Sequence, residues 1–189
     1  MRRSRQRPDV PRRRVVFVGV EGKSDRAFVR FLGLLCDQAG FHVHLDARPC
    51  SGGDSLEIVR ETVRGLRRHP DRRELAARLV LLDSDRMQAD RAAGRDALTE
   101  AEKRGLEAVL IEPNLEALLI RLHEGCEARR VPARDAEKQL RKLWPSYSKS
   151  SLTGDRLRQR FSLGDLERAA RHDEELRKLL NVLGLLRRG

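Results

Sequence analysis

Short apolar runs alternate with segments of helical periodicity in the first 125 residues of the chain. Residues 15–20, 79–82 and 108–111 are almost entirely apolar, which is typical of strands buried on both faces of a sheet. Residues 41–45 alternate apolar and polar positions, as a half-buried strand does. The pattern therefore predicts four short strands.

Four segments with helical spacing follow these strands. They are predicted at residues 24–39 with Ser24 as N-cap, at 54–69 after a Ser-Gly-Gly turn, at 92–104, and at 113–123 with Pro113 in the first turn. An alternation of strands and helices predicts an α/β fold, in which about four mainly parallel strands are flanked by helices.

The chain is helical in pattern after residue 125. Helices are predicted at residues 133–143 and 163–183, with a polar loop at 144–151 between them. The predicted organisation is a disordered basic arm at 1–14, an α/β domain at 15–125, and a helical C-terminal extension at 126–189 packed on the same domain.

The net charge favours an anionic partner. Lys and Arg number 40 against 29 Asp and Glu, which gives +11 over 189 residues, and seven of the arginines lie in residues 1–14. Nucleic acid is the partner expected for such a chain, although one Trp and one Tyr cannot form an aromatic stacking platform. The predicted nucleic-acid contacts are Arg12, Arg13, Arg14 and Lys23.

The cysteines and the hydropathy pattern exclude two other classes. Cys36, Cys50 and Cys126 are odd in number and widely spaced, which suits a reducing cytosol and excludes a CxxC zinc module. No stretch reaches the roughly 18 apolar residues of a membrane span. A cytoplasmic location is therefore expected.

Carboxylates follow two of the predicted strands. Glu21 comes directly after the run at 15–20, and Asp83 and Asp85 follow the run at 79–82. The carboxyl ends of parallel strands meet at one edge of the sheet, where open α/β folds place their sites. Gathered carboxylates need a cation to offset their repulsion, so this pattern predicts a divalent metal site.

For several other polar residues, a purely structural explanation is about as good as a functional one. An acid in a first helical turn, such as Asp25, Glu112 or Glu116, is favoured by the helix dipole. Lys149 in the polar loop could contact a phosphate or be a solvated surface lysine. The string Gly22-Lys23-Ser24 does not form a nucleotide-binding P-loop, because the first glycine of that motif would fall at position 17, which is Phe17.

These pieces in this order resemble the TOPRIM domain, a Rossmann-like fold with a Glu after the first strand and a DxD after the third. The matching residues are Glu21, Asp83 and Asp85, and the resemblance covers about residues 15–125. Within that group, two features are similar to the pattern of OLD-family nucleases. One is the acid at Asp25, and the other is the absence of a third acid after the DxD, where Met87 stands. The segment from Glu112 to His123 resembles a block of RloB-like proteins, from which it departs at Glu112, Leu115 and Ala117.

The resemblance implies a metal-dependent endonuclease that hydrolyses phosphodiester bonds with two Mg²⁺ or Mn²⁺ ions. It assigns Glu21, Asp83 and Asp85 to one ion and Asp25 and Glu116 to the second. Lys149 would stabilise charge on the phosphate, and Glu21 would also move a proton.

The same resemblance implies DNA ahead of RNA as substrate, and a separate ATPase partner in antiphage defence. Two alternatives stay open, namely a non-catalytic TOPRIM binding or assembly module and an RNA-cleaving TOPRIM ribonuclease. The oligomeric state is open, with a dimer as one option.

Overall fold

A four-stranded parallel sheet forms the centre of the computed structural model, which describes residues 13–186. Its strands are β1 (Arg14–Val20), β2 (Val43–Pro49), β3 (Ala77–Asp83) and β4 (Glu107–Ile111). Their order is β2-β1-β3-β4, and each neighbouring pair is parallel. The predicted α/β class is therefore confirmed, and the sheet is consistent with a Rossmann-like or TOPRIM fold.

Helices surround this sheet within the described range. Those that connect the strands are α1 (Lys23–Gln38), α2 (Ser55–Arg68), α3 (Ser84–Ala92) and α4 (Ala97–Lys103). Those that follow β4 are α5 (Leu115–Arg121), α6 (Ala133–Leu143), α7 (Gly154–Arg160), α8 (Leu163–Ala170) and α9 (Glu174–Leu183). None of the helices between residues 13 and 186 is both long and apolar enough to span a membrane.

The sheet is buried on both faces, because successive side chains of β1 and β3 enter different apolar clusters. Val16 and Val18 pack in one cluster with residues of α1 and α5, whereas Phe17 packs in the other with residues of α2 and α4. Burial of each such side chain contributes about 1.5–3 kcal/mol, which explains why these strands are continuous apolar runs.

Several predicted element bounds differ from the observed ones near the strand ends. Gly22, and not Ser24, is the N-cap of α1, and β2 lies at Val43–Pro49 instead of residues 41–45. The segment predicted as one helix at 92–104 contains two, α3 and α4, separated around Gly94. Sequence periodicity missed α3 because few of its residues are buried.

The C-terminal prediction was correct for α6 and wrong for its neighbours. The helix predicted at 163–183 is divided into α8 and α9, with Asp173 as the N-cap of α9. Helix α7 was not predicted, and Pro113 precedes α5 instead of lying in its first turn, since Asn114 is the N-cap. The proposed domain bounds stay predictions, and the arm at 1–12, with Arg12, lies outside the described residues.

Helix α9 covers the free edge of β4. The Lys178 Nζ donates to the carbonyl of Ala108 at 2.8 Å, and the Leu110 N–H donates to the Glu175 Oε2 at 2.9 Å. These bonds use backbone groups that an exposed edge strand would leave open to another chain. Helix α9 thus packs on the sheet itself.

The sheet order creates a crevice between β1 and β3. These strands are neighbours, but the chain leaves β1 through α1 toward β2 and leaves β3 through α3 and α4 toward β4. The connections therefore diverge at the carboxyl ends of β1 and β3. Open α/β sheets bind ligands at such a switch point.

Gly19 in β1 permits the close approach of α2. A Cβ at this position would overlap the hydroxyl and methyl groups of Thr62 and lie 2.7 Å from its Cβ. We expect Gly19→Ala to lower the free energy of unfolding by about 1–3 kcal/mol through overpacking, as measured by urea denaturation. Thr62→Ala in the same chain removes the two nearer atoms and should restore part of the loss, whereas additive losses would contradict this explanation.

Candidate functional site

Asp83 lies at the switch point with its carboxylate free of any capping role. It ends β3 and occupies the N-cap position of α3, yet its side chain makes no capping hydrogen bond. The side chains of Asp54, Asn114 and Asp173, by contrast, each accept a backbone N–H at the start of their helices. Helix capping therefore does not explain an acid at position 83.

Other carboxylates crowd Asp83. Burial, together with the negative charges of Asp25, Asp85 and Glu116, raises the pKa of this carboxyl to about 8, while the Lys149 ammonium acts in the opposite direction. A pKa in this range means that Asp83 carries a proton at neutral pH as long as no additional cation is present. The four acids therefore act on one another, although they come from three separate parts of the sequence.

Asp25 serves both as a structural and as a candidate functional residue. Its Oδ2 accepts the N–H of Gly22 at 3.0 Å, which completes a capping interaction at the start of α1. Burial raises the pKa of Asp25, and the charge of Glu116 adds to this, while the Gly22 N–H and Lys149 act in the opposite direction. One carboxylate oxygen of Asp25 therefore has a structural role at the start of α1.

Asp85 stands in the first turn of α3 and is exposed. Its Oδ1 accepts the N–H of Arg86 at 2.8 Å, and its own N–H donates to the carbonyl of Pro113 at 3.3 Å. The second bond joins the start of α3 to the loop after β4. This loop leads into α5, which carries Glu116.

Glu21 follows β1 directly and forms an ion pair with the guanidinium of Arg86. Its side chain is 27% exposed, so the pair is only partly shielded from water. A positive side chain thus already contacts the carboxylate for which the sequence pattern predicts a metal. No local pattern in the sequence marks Arg86 as a partner of this acid.

Glu116 is the most buried of these acids, with 3% of its surface exposed. Its Oε1 accepts a hydrogen bond from the Tyr147 hydroxyl at 3.0 Å and lies 3.0 Å from the Lys149 Nζ. Burial lowers the pKa of Lys149, but Glu116, Asp25 and Asp83 outweigh it and raise the pKa overall. Lys149 is therefore a cation near neutral pH and cannot act as a general base.

Tyr147 was missed as a site residue. It is buried beside Glu116, and burial together with the charge of that carboxylate raises its pKa, so the hydroxyl stays a donor. The signal available in the sequence was the position of this Tyr, two residues before Lys149 in a polar loop.

The loop that carries Lys149 is held by Arg156 and Trp144. The Arg156 guanidinium donates to the carbonyl of Ser146 at 2.7 Å and to the Oγ of Ser151 at 2.6 Å, and it lies 5.6 Å from the Trp144 ring centroid. The Trp144 Nε1 donates to the Oγ of Ser146 at 2.9 Å. Both ends of the segment around Lys149, a 3₁₀ turn at Lys149–Ser151, are thus anchored.

The remaining candidates are exposed side chains. Glu112 is exposed and pairs with Arg130 at 3.3 Å, so it does not take the place of Glu116. Arg13 pairs with Asp37 at 3.1 Å, Arg14 is exposed at the start of β1, and Lys23 is exposed at the first position of α1.

The donor set suits a hard divalent cation, since it consists of carboxylates, and burial and mutual repulsion together raise the pKa of Asp83. Among the residues described, however, no three His, Cys, Asp or Glu side chains already surround a common point. Arg86 contacts Glu21, and Lys149 contacts Glu116. Metal binding would therefore require these carboxylates to exchange a side-chain cation for a metal ion.

Comparisons with known proteins give one similar structure. No protein-family model matches the chain, and the search of curated proteins finds no match. Among solved structures, the C-terminal region of the Xanthomonas campestris pv. campestris OLD protein is similar over 92% of this chain and 81% of that chain, with 18% identity and a TM-score of 0.33. Since so low a TM-score carries no weight for fold or function, the fold class rests on the sheet itself.

Proposed function

We propose that this protein is a divalent-cation-dependent nuclease whose site is the carboxylate cluster at the ends of β1 and β3. The observation that carries the proposal is the crowding around Asp83, a strand-end carboxylate with no capping role and a pKa raised to about 8. A carboxylate that is repelled by neighbouring acids does not stabilise the fold. A bound divalent cation would offset this repulsion and use the carboxylate as a ligand. Mg²⁺ or Mn²⁺ suits these oxygen donors.

The residues that would hold the metal are Glu21, Asp25, Asp83, Asp85 and Glu116. When bound, Mg²⁺ or Mn²⁺ would activate the attacking water and offset negative charge on the phosphate. Lys149, which stays protonated beside Glu116, would add a positive charge on the same side of the site. Glu21 would accept a proton from the attacking water after Arg86 leaves it.

A polynucleotide is the substrate that the charge of the chain favours. The net charge of +11 supports binding of a polyanion, and DNA is the first substrate to test. A separate ATPase partner and a role in antiphage defence stay predictions from the resemblance alone.

The direct test is a cleavage assay with the purified chain. Supercoiled plasmid DNA and a structured RNA are incubated with Mg²⁺ or Mn²⁺, and matched reactions contain EDTA. Cleavage that requires the metal supports the proposal, and the preferred substrate distinguishes a DNA nuclease from a ribonuclease. Absence of cleavage of both substrates with either metal would contradict it.

A non-catalytic binding module is the second candidate, and the side-chain pairs favour it. Arg86 already contacts Glu21, and Lys149 and Tyr147 already satisfy Glu116, so two of the acids are compensated without metal. This candidate predicts no heat of binding when Mn²⁺ is titrated into the protein by calorimetry. Metal binding without cleavage would leave a metal-dependent scaffold as the explanation.

Lys149→Ala is expected to slow cleavage by about 100-fold, because it removes a fixed charge that would stabilise the phosphate. Lys138→Ala is the matched control, since Lys138 is an exposed lysine on α6. Initial cleavage rates at saturating metal provide the measurement. Equal rates for the two variants would remove Lys149 from the proposed site.

A further inference from the structure

A groove of about 860 Å³ lies beside the carboxylate site, between α1 and the edge strand β2. The start of α7, at Thr153 and Gly154, forms part of its lining. Gly154 makes this arrangement possible, because a Cβ there would lie 2.9 Å from the backbone nitrogen of Phe31 in α1. Lys23 lines the groove at the start of α1 and is two residues from both Glu21 and Asp25 in the sequence, so this end of the groove is the one nearer to the proposed site.

Three cations follow one another along the side of α1 that faces the groove. Lys23, Arg26 and Arg30 are all exposed and stand at positions i, i+3 and i+7 of this helix. At 1.5 Å per residue they span about 10 Å of the helix, one cation for each turn. Such a row is suited to successive charges of an extended polyanion.

The acids that line the groove have partners of their own. Asp37 pairs with Arg13 at 3.1 Å, and Asp155 pairs with Arg30 at 3.8 Å. Asp46 contacts Arg48 at 3.0 Å and His69 at 3.1 Å.

Lys23 and Arg26 pair with no carboxylate anywhere in residues 13–186. These two cations, the nearest to the site, are therefore free to bind an anion. The pairs of Arg13 and Arg30 have side chains about half exposed or more, so they are weak and open to exchange.

We propose that this groove binds the sugar-phosphate backbone of one nucleic-acid strand and leads it to the carboxylate site. No Phe, Tyr or Trp occurs among the lining residues, so base stacking does not contribute there. Binding is therefore expected to be electrostatic, salt-dependent and independent of sequence. That the bound strand leads to the carboxylate site rests on the proposed function, whereas the binding of nucleic acid in the groove does not.

Arg26→Glu tests the groove without any need for cleavage. Arg67→Glu is the matched control, because Arg67 is an exposed arginine near the end of α2, whose packing lies on the other face of the sheet from α1. Fluorescence anisotropy with a labelled oligonucleotide in EDTA measures the Kd at several salt concentrations. Circular dichroism verifies that both variants are folded.

Arg26→Glu is expected to weaken binding by at least about tenfold and to reduce the slope of log K against log salt by about 1. Arg67→Glu should stay close to the parent chain. Equal losses for both variants, or equal binding of polyglutamate and the oligonucleotide by the parent, would overturn the proposal. Single-stranded DNA, duplex DNA and RNA are compared in separate titrations.

The outcomes separate the groove from the nuclease. If Arg26→Glu loses binding while the parent never cleaves in Mg²⁺ or Mn²⁺, the groove stands and the proposed function fails. If the parent cleaves but Arg26→Glu and Arg67→Glu bind the oligonucleotide equally well, the proposed nuclease function stands and the proposed binding in the groove is wrong.

Discussion

Replacing Asp83 by Asn is expected to lower metal-dependent cleavage by at least about 100-fold. The substitution keeps the shape of the side chain at the end of β3 and removes the carboxylate that a metal ion would bind at the centre of the acidic cluster. Plasmid relaxation in Mn²⁺ provides the measurement. Glu124→Gln, a change at an exposed acid, is the control and should stay within about twofold of the parent.

The same variant is expected to be more stable than the parent when metal is absent. An unfolded Asp ionises near its ordinary pKa of 3.8, whereas Asp83 in the folded chain does so at about 8. Between these values the folded state holds a proton that the unfolded state lacks, so the stability of the parent falls as pH rises. The amide of the Asp83→Asn variant does not titrate, and the advantage of this variant should grow to the order of a few kcal/mol by pH 8.

Thermal unfolding of both chains in EDTA at pH 5 and pH 8 measures this difference. A stable variant without activity assigns the loss to the chemistry of the carboxylate and not to misfolding. A variant that is less stable than the parent at pH 8, or that cleaves at the parental rate, would contradict the role given to Asp83.

Asp173→Ala is expected to lower the free energy of unfolding by about 3–5 kcal/mol, because it leaves a buried charge without its partner. The Arg121 side chain has no exposed surface, and its Nη2 donates to the Asp173 Oδ2 at 2.6 Å. Its Nη1 donates to the carbonyl of Glu112 at 2.7 Å, just after β4. The other oxygen of Asp173 accepts the Leu176 N–H at 2.9 Å and caps α9.

Urea denaturation measures the loss, and two variants separate its causes. Asp173→Asn keeps a good N-cap and removes only the ion pair, while Asp96→Ala removes the exposed N-cap of α4 and should cost only about 1 kcal/mol. Should Asp173→Ala cost no more than Asp96→Ala, the buried pair would contribute nothing beyond the cap. The pair matters for the site, since Arg121 lies in the helix that carries Glu116.

Local sequence patterns predicted the elements that are marked by a continuous apolar run or by regular helical spacing. Strands β1, β3 and β4 and helices α2 and α6 lie close to their predicted positions. The predictions failed where a contact distant in sequence decides the structure. The helix predicted at 163–183 breaks before Asp173, whose carboxylate pairs with Arg121 from another helix.

The sequence by itself determined the parallel sheet and the acids at its edge, because apolar runs must be buried and parallel strands end at one side. Tertiary structure decided which acids act together. The contacts of Glu116 with Tyr147 and Lys149, and of Glu21 with Arg86, join segments that no local periodicity relates. The spacing of apolar positions is set by residues that are close in the sequence. The electrostatic environment of Asp83, in contrast, depends on acids of α1, α3 and α5 that only the packing of these helices brings near it.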